Sequence, residues 1–151
     1  MDVESINRLL DEAVPFSRMV GARVTSVGSE QAEALLPAAP ERLNHVGTVH
    51  AVAQFGLGEV AAGALILAAF AEYQAQGYVP VLADAAIHYR KPSSGDLRAI
   101  ARLPAEEQDH IRIELHQTAR ARFTLPVQLV NSEGAVTTEL EVTWVMLQPG
   151  V

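Results

Sequence analysis

Residues 48–76 read TVHAVAQFGLGEVAAGALILAAFAEYQAQ, and the fold turns on what this stretch becomes. Apolar residues fill every side of its helical wheel, and most of them are Ala, Gly or Val. A helix that is apolar all round is buried, and side chains this small let a sheet come close to the helix backbone. Thr48 is suited to N-cap such a helix, and Gly77 to stop it. One long, buried central helix is therefore expected over 48–76.

The flanks supply what would bury it. Upstream, Ile6, Leu9, Leu10 and Val14 recur at helical spacing and Pro15 closes the segment. Ala22–Val27 and Gln31–Leu36 then read as strands around the turn Gly28–Ser29. Downstream, Val79–Tyr89 and Leu97–Leu103 are β-like and joined by the turn at Lys91–Gly95. In residues 105–117, Ile111, Ile113 and Leu115 alternate as a strand would. However, Pro104, the early Glu106 and Glu107, and the late Arg112 and His116 match helix polarity, so a short helix is expected. Arg122–Val130 and Val136–Leu147 flank a hairpin turn, Asn131–Gly134. Strands and helices segregate rather than alternate, which indicates α+β.

At 151 residues, a single domain spanning 1–151 is expected. A net charge of −7 without any basic run argues against nucleic acid as a partner. The absence of cysteine excludes a disulfide framework, a thiolate metal site and a cysteine nucleophile. The N-terminus is acidic early and has no basic region ahead of an apolar one, unlike a signal peptide. The longest apolar run, Val60–Ala71, falls short of the roughly 20 residues that span a bilayer. A cytoplasmic protein that does not enter the membrane is the expectation.

Chemistry concentrates at the start of the central helix. Leu43-Asn44-His45-Val46-Gly47-Thr48-Val49-His50 brings together an amide, two imidazoles and a hydroxyl, and Glu59 follows nine residues after His50. Hydrolysis of an ester or thioester needs donors for the oxyanion, which a helix N-terminus supplies. It also needs a carboxylate as base or nucleophile. Buried carboxylates are almost never left unpaired without a reason, which singles out Glu59 among Gly56, Leu57, Gly58, Val60 and Ala61. Nine helical residues rise about 13.5 Å over about 2.5 turns. His50 and Glu59 of one chain would then point to opposite sides, so a working site would pair the His50 end of one helix with Glu59 of a second chain.

Asn44, His50 and Glu59 resemble the hotdog-fold thioesterases of the phenylacetate-pathway (PaaI-like) type, in which Asn, His and an acid recur at these spacings. Asp84 to Asp96 looks like that family's strand–turn–strand after the helix, and Asn131–Gly134 like its final hairpin. The likeness covers most of residues 20–147. It implies a central helix wrapped by a curved antiparallel sheet, a homodimer or dimer of dimers, an acyl-CoA substrate, and neither metal nor cofactor. Carried over, Glu59 would be base or nucleophile, Asn44 would position water or thioester, His50 would orient the thioester, and the Ala51 N–H would polarise its carbonyl. Two positions depart from the pattern. Ala51-Val52 replaces the usual Gly-Gly, and Leu82 stands where a Ser or Thr often helps hold water.

Other residues have competing readings. Val52 would border an acyl tunnel, with Phe55 or Phe70 as further lining. Gly47 and His45 belong to the loop at the substrate end, His45 as loop residue or second donor. Arg90, Lys91, Ser93 and Ser94 would contact CoA phosphates, or form a solvated turn; His88 and His116 read as structural or solvated. Gly56-Leu-Gly58-Glu-Val-Ala61, with Asp84 beyond, fits the G-x-G-x-x-A dinucleotide fingerprint. It makes an NAD-binding domain a minor alternative, although the small-residue pattern runs through the glycines as one helix. A non-catalytic acyl-CoA binder is the alternative within the hotdog fold; a dehydratase lacks support, since no Pro-Gly-rich stretch separates His and acid.

Overall fold

The small, apolar stretch folds as expected into a helix in the middle of the molecule, here α3 (Ala51–Ala69). The computed structural model describes residues 1–148; residues 149–151, the tail of the expected domain, lie outside the described residues. Ahead of α3 come α1 (Val3–Ala13), α2 (Pro15–Val20), β1 (Arg23–Val27) and β2 (Gln31–Leu36), then a 3-10 turn at Pro40–Arg42. Behind it come α4 (Ala71–Gln74), β3 (Val79–Tyr89), β4 (Leu97–Arg102), α5 (Ala105–Thr118), β5 (Arg120–Val130) and β6 (Val136–Leu147). The strands form one six-stranded antiparallel sheet in the order β1-β2-β4-β5-β6-β3. The sheet curves around α3, which touches all six strands.

Alternation sets the inner face. Ala32, Ala34 and Leu36 of β2, Leu97, Ala99 and Ala101 of β4, Leu125, Val127 and Leu129 of β5, and Leu140, Val142 and Met146 of β6 are buried against the helix. From the helix, Leu57, Leu65 and Ile66 are fully buried among them. Glycine is required where the sheet comes closest: a methyl group at Gly58 would lie 2.7 Å from Leu140 Cδ2. By length and composition α3 is apolar enough to cross a membrane, but here it is the core helix of a sheet.

The main differences from the sequence reading lie at the helix ends. The central helix starts at Ala51 rather than Thr48, because Thr48 is tied into a loop by Asn44 and His50 takes the cap position. It ends at Ala69; Phe70 leaves helical geometry at φ −125°, and only the short α4 follows before Gly77 at φ +89°. Pro15 does more than close α1, since it opens α2 at the first helical position, where the missing N–H costs nothing. The helix expected over 105–117 is present as α5.

At one point the long β3 strand breaks its register. Leu82 pairs with Trp144 and Asp84 with Thr143, leaving Ala83 as a bulge. The extra residue keeps Leu82 on the inner face and turns Asp84 outward, the re-aiming that bulges provide. Among the described residues the sheet has no strand beyond β3. That free edge carries the half-exposed apolar residues Val79 and Val81.

Candidate functional site

The loop leading into α3 is held by Asn44. Its Oδ1 accepts the N–H groups of Val46 and Thr48, both at 3.1 Å, and its Nδ2 donates to Thr48 Oγ1 at 2.8 Å. The backbone closes the same turn, with Asn44 N–H donating to the Thr48 carbonyl at 2.8 Å and Gly47 N–H to the Asn44 carbonyl at 3.0 Å. Gly47 sits at φ +78°, where a side chain would be strained. Gly47 and most of Asn44 therefore build the loop. The second Nδ2 hydrogen of Asn44 has no partner among the described residues. His45 and Val46 stand exposed at the loop tip.

His50 caps the helix with its ring. Nδ1 accepts the Val52 N–H at 3.1 Å. Acceptance at Nδ1 places the proton of the neutral ring on Nε2, which leaves a donor at the exposed side. Ala51 follows at the first helical position, exposed, and its N–H makes no hydrogen bond among the described residues. This is the free donor that a helix N-terminus offers an oxyanion. The Tyr89 hydroxyl donates to the Ala51 carbonyl at 3.0 Å, and burial pushes that phenol's pKa upward.

Glu59 lies two turns further along. It is half-buried, it makes no hydrogen bond or ion pair among the described residues, and desolvation pushes its carboxyl pKa above the ordinary glutamate value. It lines a cavity of about 270 Å³ whose walls are otherwise almost wholly apolar, formed by Leu10, Val14, Leu67, Pro80, Leu82 and Trp144 among others. Among the described residues no other titratable side chain lines this cavity.

The three residues thus face three separate concavities within one chain. Asn44 borders a cleft of about 370 Å³ with Thr48, Ala51, Tyr89, Arg90 and Lys91. His50 and Val52 border a shallower one of about 250 Å³ with Phe16, Met19 and Arg42. Phe16, Met19 and Val52 are 59%, 80% and 60% exposed, an apolar patch beside the helix start.

Several expected contacts fall elsewhere. Ser93, grouped with Arg90, Lys91 and Ser94 as a phosphate contact, is 1% exposed. Its hydroxyl lies 2.7 Å from Thr137 Oγ1 and 3.2 Å from Gln54 Oε1, inside a buried network, because the turn folds back under the helix start. Arg90 is paired with Glu139 at 2.8 Å, while Lys91 and Ser94 remain exposed. Phe70 is fully buried against Tyr73 and Phe123, with Arg112 over its ring, so it lines no tunnel. The dinucleotide-like glycines lie inside the continuous helix α3, where Gly56 and Gly58 admit Val20 and Leu140. No strand-to-helix turn exists there to cradle a pyrophosphate, which removes the NAD reading.

Two polar residues escaped the sequence reading. Gln54 is 5% exposed and ties the site together: its Nε2 donates to the Val49 carbonyl at 2.8 Å, and its Oε1 accepts from Thr138 at 2.5 Å as well as from Ser93. A glutamine inside an apolar helix was the available signal. Trp144 is 5% exposed, and its indole Nε1 has no hydrogen-bond partner among the described residues.

Solved structures share this architecture. A Pseudomonas aeruginosa protein of unknown function, PA5026, described as a probable thioesterase, is 27% identical over 97% of this chain and 96% of its own, with a TM-score of 0.84. Thioesterase HI1161 from Haemophilus influenzae aligns over 100% of this chain and 94% of its own at 17% identity and a TM-score of 0.76, a likeness of fold. A Chlorobaculum tepidum protein of unknown function is 16% identical over 97% of this chain and 94% of its own, with a TM-score of 0.83. No curated protein matches significantly. The helix wrapped by a curved antiparallel sheet is the hotdog fold, which these proteins share. Over residues 3–146 the sequence matches the family described as a domain of unknown function, DUF4442, and the chain belongs to that family.

Proposed function

We propose that this protein is an acyl-CoA thioesterase whose active sites are shared between two subunits. The observation that carries the reading is Glu59, a carboxylate without a partner among the described residues, on the wall of an apolar cavity. A charge in such a place is costly unless it is used. The likeness to PA5026 and HI1161 supports thioester hydrolysis as that use.

In this reading the acyl group enters the Glu59 cavity. The thioester carbonyl meets the Ala51 N–H and the positive end of α3 from the partner subunit, with His50 and Asn44 beside it. Water attacks the carbonyl carbon while Glu59 takes a proton from it; a C–O bond forms and the C–S bond breaks. The proton passes to the departing thiolate, giving a carboxylic acid and CoA thiol. The separate concavities of Asn44, His50 and Glu59 support a shared site. So does the free β3 edge, whose residues Pro80, Val81 and Leu82 border the Glu59 cavity. Lys91, exposed beside the Asn44 cleft, suits the CoA phosphates.

The test is hydrolysis of a panel of acyl-CoAs, read by released thiol, for wild type and Glu59→Ala. Turnover by wild type and its loss in the variant is expected. Full activity in Glu59→Ala would sink the role of Glu59. Binding of acyl-CoA without turnover would favour the non-catalytic binder instead, a reading supported by Leu82, which offers no hydroxyl to the cavity.

A further inference from the structure

Glycine stands at position 63 of α3 for no reason that the fold supplies. Its backbone is ordinary helix, outside the left-handed region that favours glycine. Packing does not require it either. At Gly56 and Gly58 a methyl would press on Val20 at 3.0 Å and on Leu140 at 2.7 Å. At Gly63 it would meet one atom within 4 Å, the tip of the Trp144 ring, at 3.8 Å. A glycine inside a helix is destabilising relative to alanine, so the open space beside it points to a use other than packing.

That space belongs to the Glu59 cavity. Glu59, Gly63 and Leu67 follow at four-residue intervals on one face of α3, and all three line the cavity of about 270 Å³. They are only partly buried, while Ala61, Ala62, Ala64, Leu65 and Ile66 between them lie in the core. Along the helix axis Gly63 stands about 6 Å and Leu67 about 12 Å beyond Glu59. Leu67 is the last residue of α3 on this wall. Past Glu59 the cavity offers a ligand apolar contact alone. The hydroxyl of Ser17 donates to the Val14 carbonyl at 2.7 Å, and the Trp144 nitrogen has no exposed surface. A chain ending in a hydroxyl or carboxylate would bury that group unpaired. At about 30 Å³ for a group the size of a water molecule, the cavity holds about nine such groups.

Resting on the thioesterase reading, we propose that Gly63 is a specificity-determining residue. By carrying no side chain it lets a straight, unsubstituted acyl chain pass from Glu59 along α3 as far as Leu67, which sets the limit. The substrate class is a medium-chain fatty acyl thioester. Each methylene buried before Leu67 is reached raises kcat/KM by about fourfold.

The test compares kcat/KM for acetyl-, butyryl-, octanoyl- and palmitoyl-CoA and follows binding of the same thioesters by calorimetry. Wild type is expected to favour octanoyl-CoA over acetyl-CoA by more than about tenfold, and over palmitoyl-CoA as well. Gly63→Leu fills the path and should lower the octanoyl-to-acetyl ratio by about tenfold or more. Leu67→Ala opens the far end and should raise the palmitoyl-to-octanoyl ratio. A wild type that favours acetyl-CoA overturns the proposal. So does an unchanged ratio in a Gly63→Leu protein that still melts cooperatively, or a Leu67→Ala that accepts no longer chain. A loss shared equally by all four substrates is what damage to fold or chemistry produces, and it also counts against Gly63. The two readings fail separately. Hydrolysis that ignores chain length loses only the Gly63 assignment. Binding graded by chain length and flattened by Gly63→Leu, with no thiol released, keeps that assignment and loses hydrolysis.

Discussion

Burial removes water from the Glu59 carboxylate and nothing among the described residues replaces it, which pushes its pKa above the ordinary glutamate value. As the proposed base it must be ionised, so the acidic limb of kcat/KM is expected to lie above the ordinary glutamate range, with activity rising as pH increases through it. Glu59→Gln should abolish that limb and cost about 10²- to 10⁴-fold in rate. Stability should run the other way. A folded pKa above the unfolded one means the native state binds the extra proton, so this residue's stability contribution is fully present below the unfolded pKa and is lost as pH rises through the folded one. Glu59→Gln is therefore expected to melt higher than wild type at neutral pH, with the gap closing in acid; thermal melts across pH decide it. His50 separates structure from chemistry differently. Its ring caps α3 through Nδ1, so His50→Ala should destabilise by about 1 kcal/mol. His50→Asn, a good capping residue, should keep stability in urea titration while losing the Nε2 donor and, with it, activity.

The packing of α3 against the sheet makes opposite predictions for two of its glycines. A methyl at Gly63 meets only Trp144 Cη2 at 3.8 Å, an ordinary contact, so Gly63→Ala should stabilise by up to about 1 kcal/mol through helix propensity. At Gly58 the same methyl would lie 2.7 Å from Leu140, which is buried and cannot swing away. Gly58→Val should therefore destabilise by about 1–3 kcal/mol through overpacking. Urea midpoints of the two variants test the pair. How much could be read beforehand follows from the same packing. Composition alone marked α3 as buried, and β-like runs bounded by turn residues marked the six strands, because both signals report local geometry. Glu59 stood out for the same reason, as the one charge in an apolar helix. The helix start did not, since its cap is an imidazole and Thr48 is claimed by Asn44, a competition between neighbours that propensity does not resolve. Ser93 looked like a surface turn residue until folding brought Gln54, from 39 positions away, within hydrogen-bond reach. Trp144 was silent because an indole in a strand reads as core; only the lack of a partner for its N–H distinguishes it.

At the scale of the whole molecule, the proposed site needs a second subunit, because its parts face apart. The β3 edge is eleven residues long and presents Val79 and Val81, a row of unpaired backbone groups that invites another strand. Pairing of β3 with its copy would extend the sheet across a two-fold axis and bring a second α3 toward the Glu59 cavity. Val81→Lys should then yield monomers in light scattering and lose hydrolysis, although Val81 need not touch substrate. A mixing experiment is sharper, because it asks where the residues of each site come from. Glu59→Gln and His50→Asn homodimers should each be inactive. If every site takes His50 from one subunit and Glu59 from the other, a mixed dimer holds one site with both residues changed and one fully intact. Random exchange at equal concentrations makes half the dimers mixed, so activity should return to about a quarter of wild type. If each site instead draws both residues from one chain, both sites of a mixed dimer stay defective and mixing restores nothing. Recovery of thiol release after co-incubation, set against the unmixed variants, therefore distinguishes a shared site from a private one without any further structure.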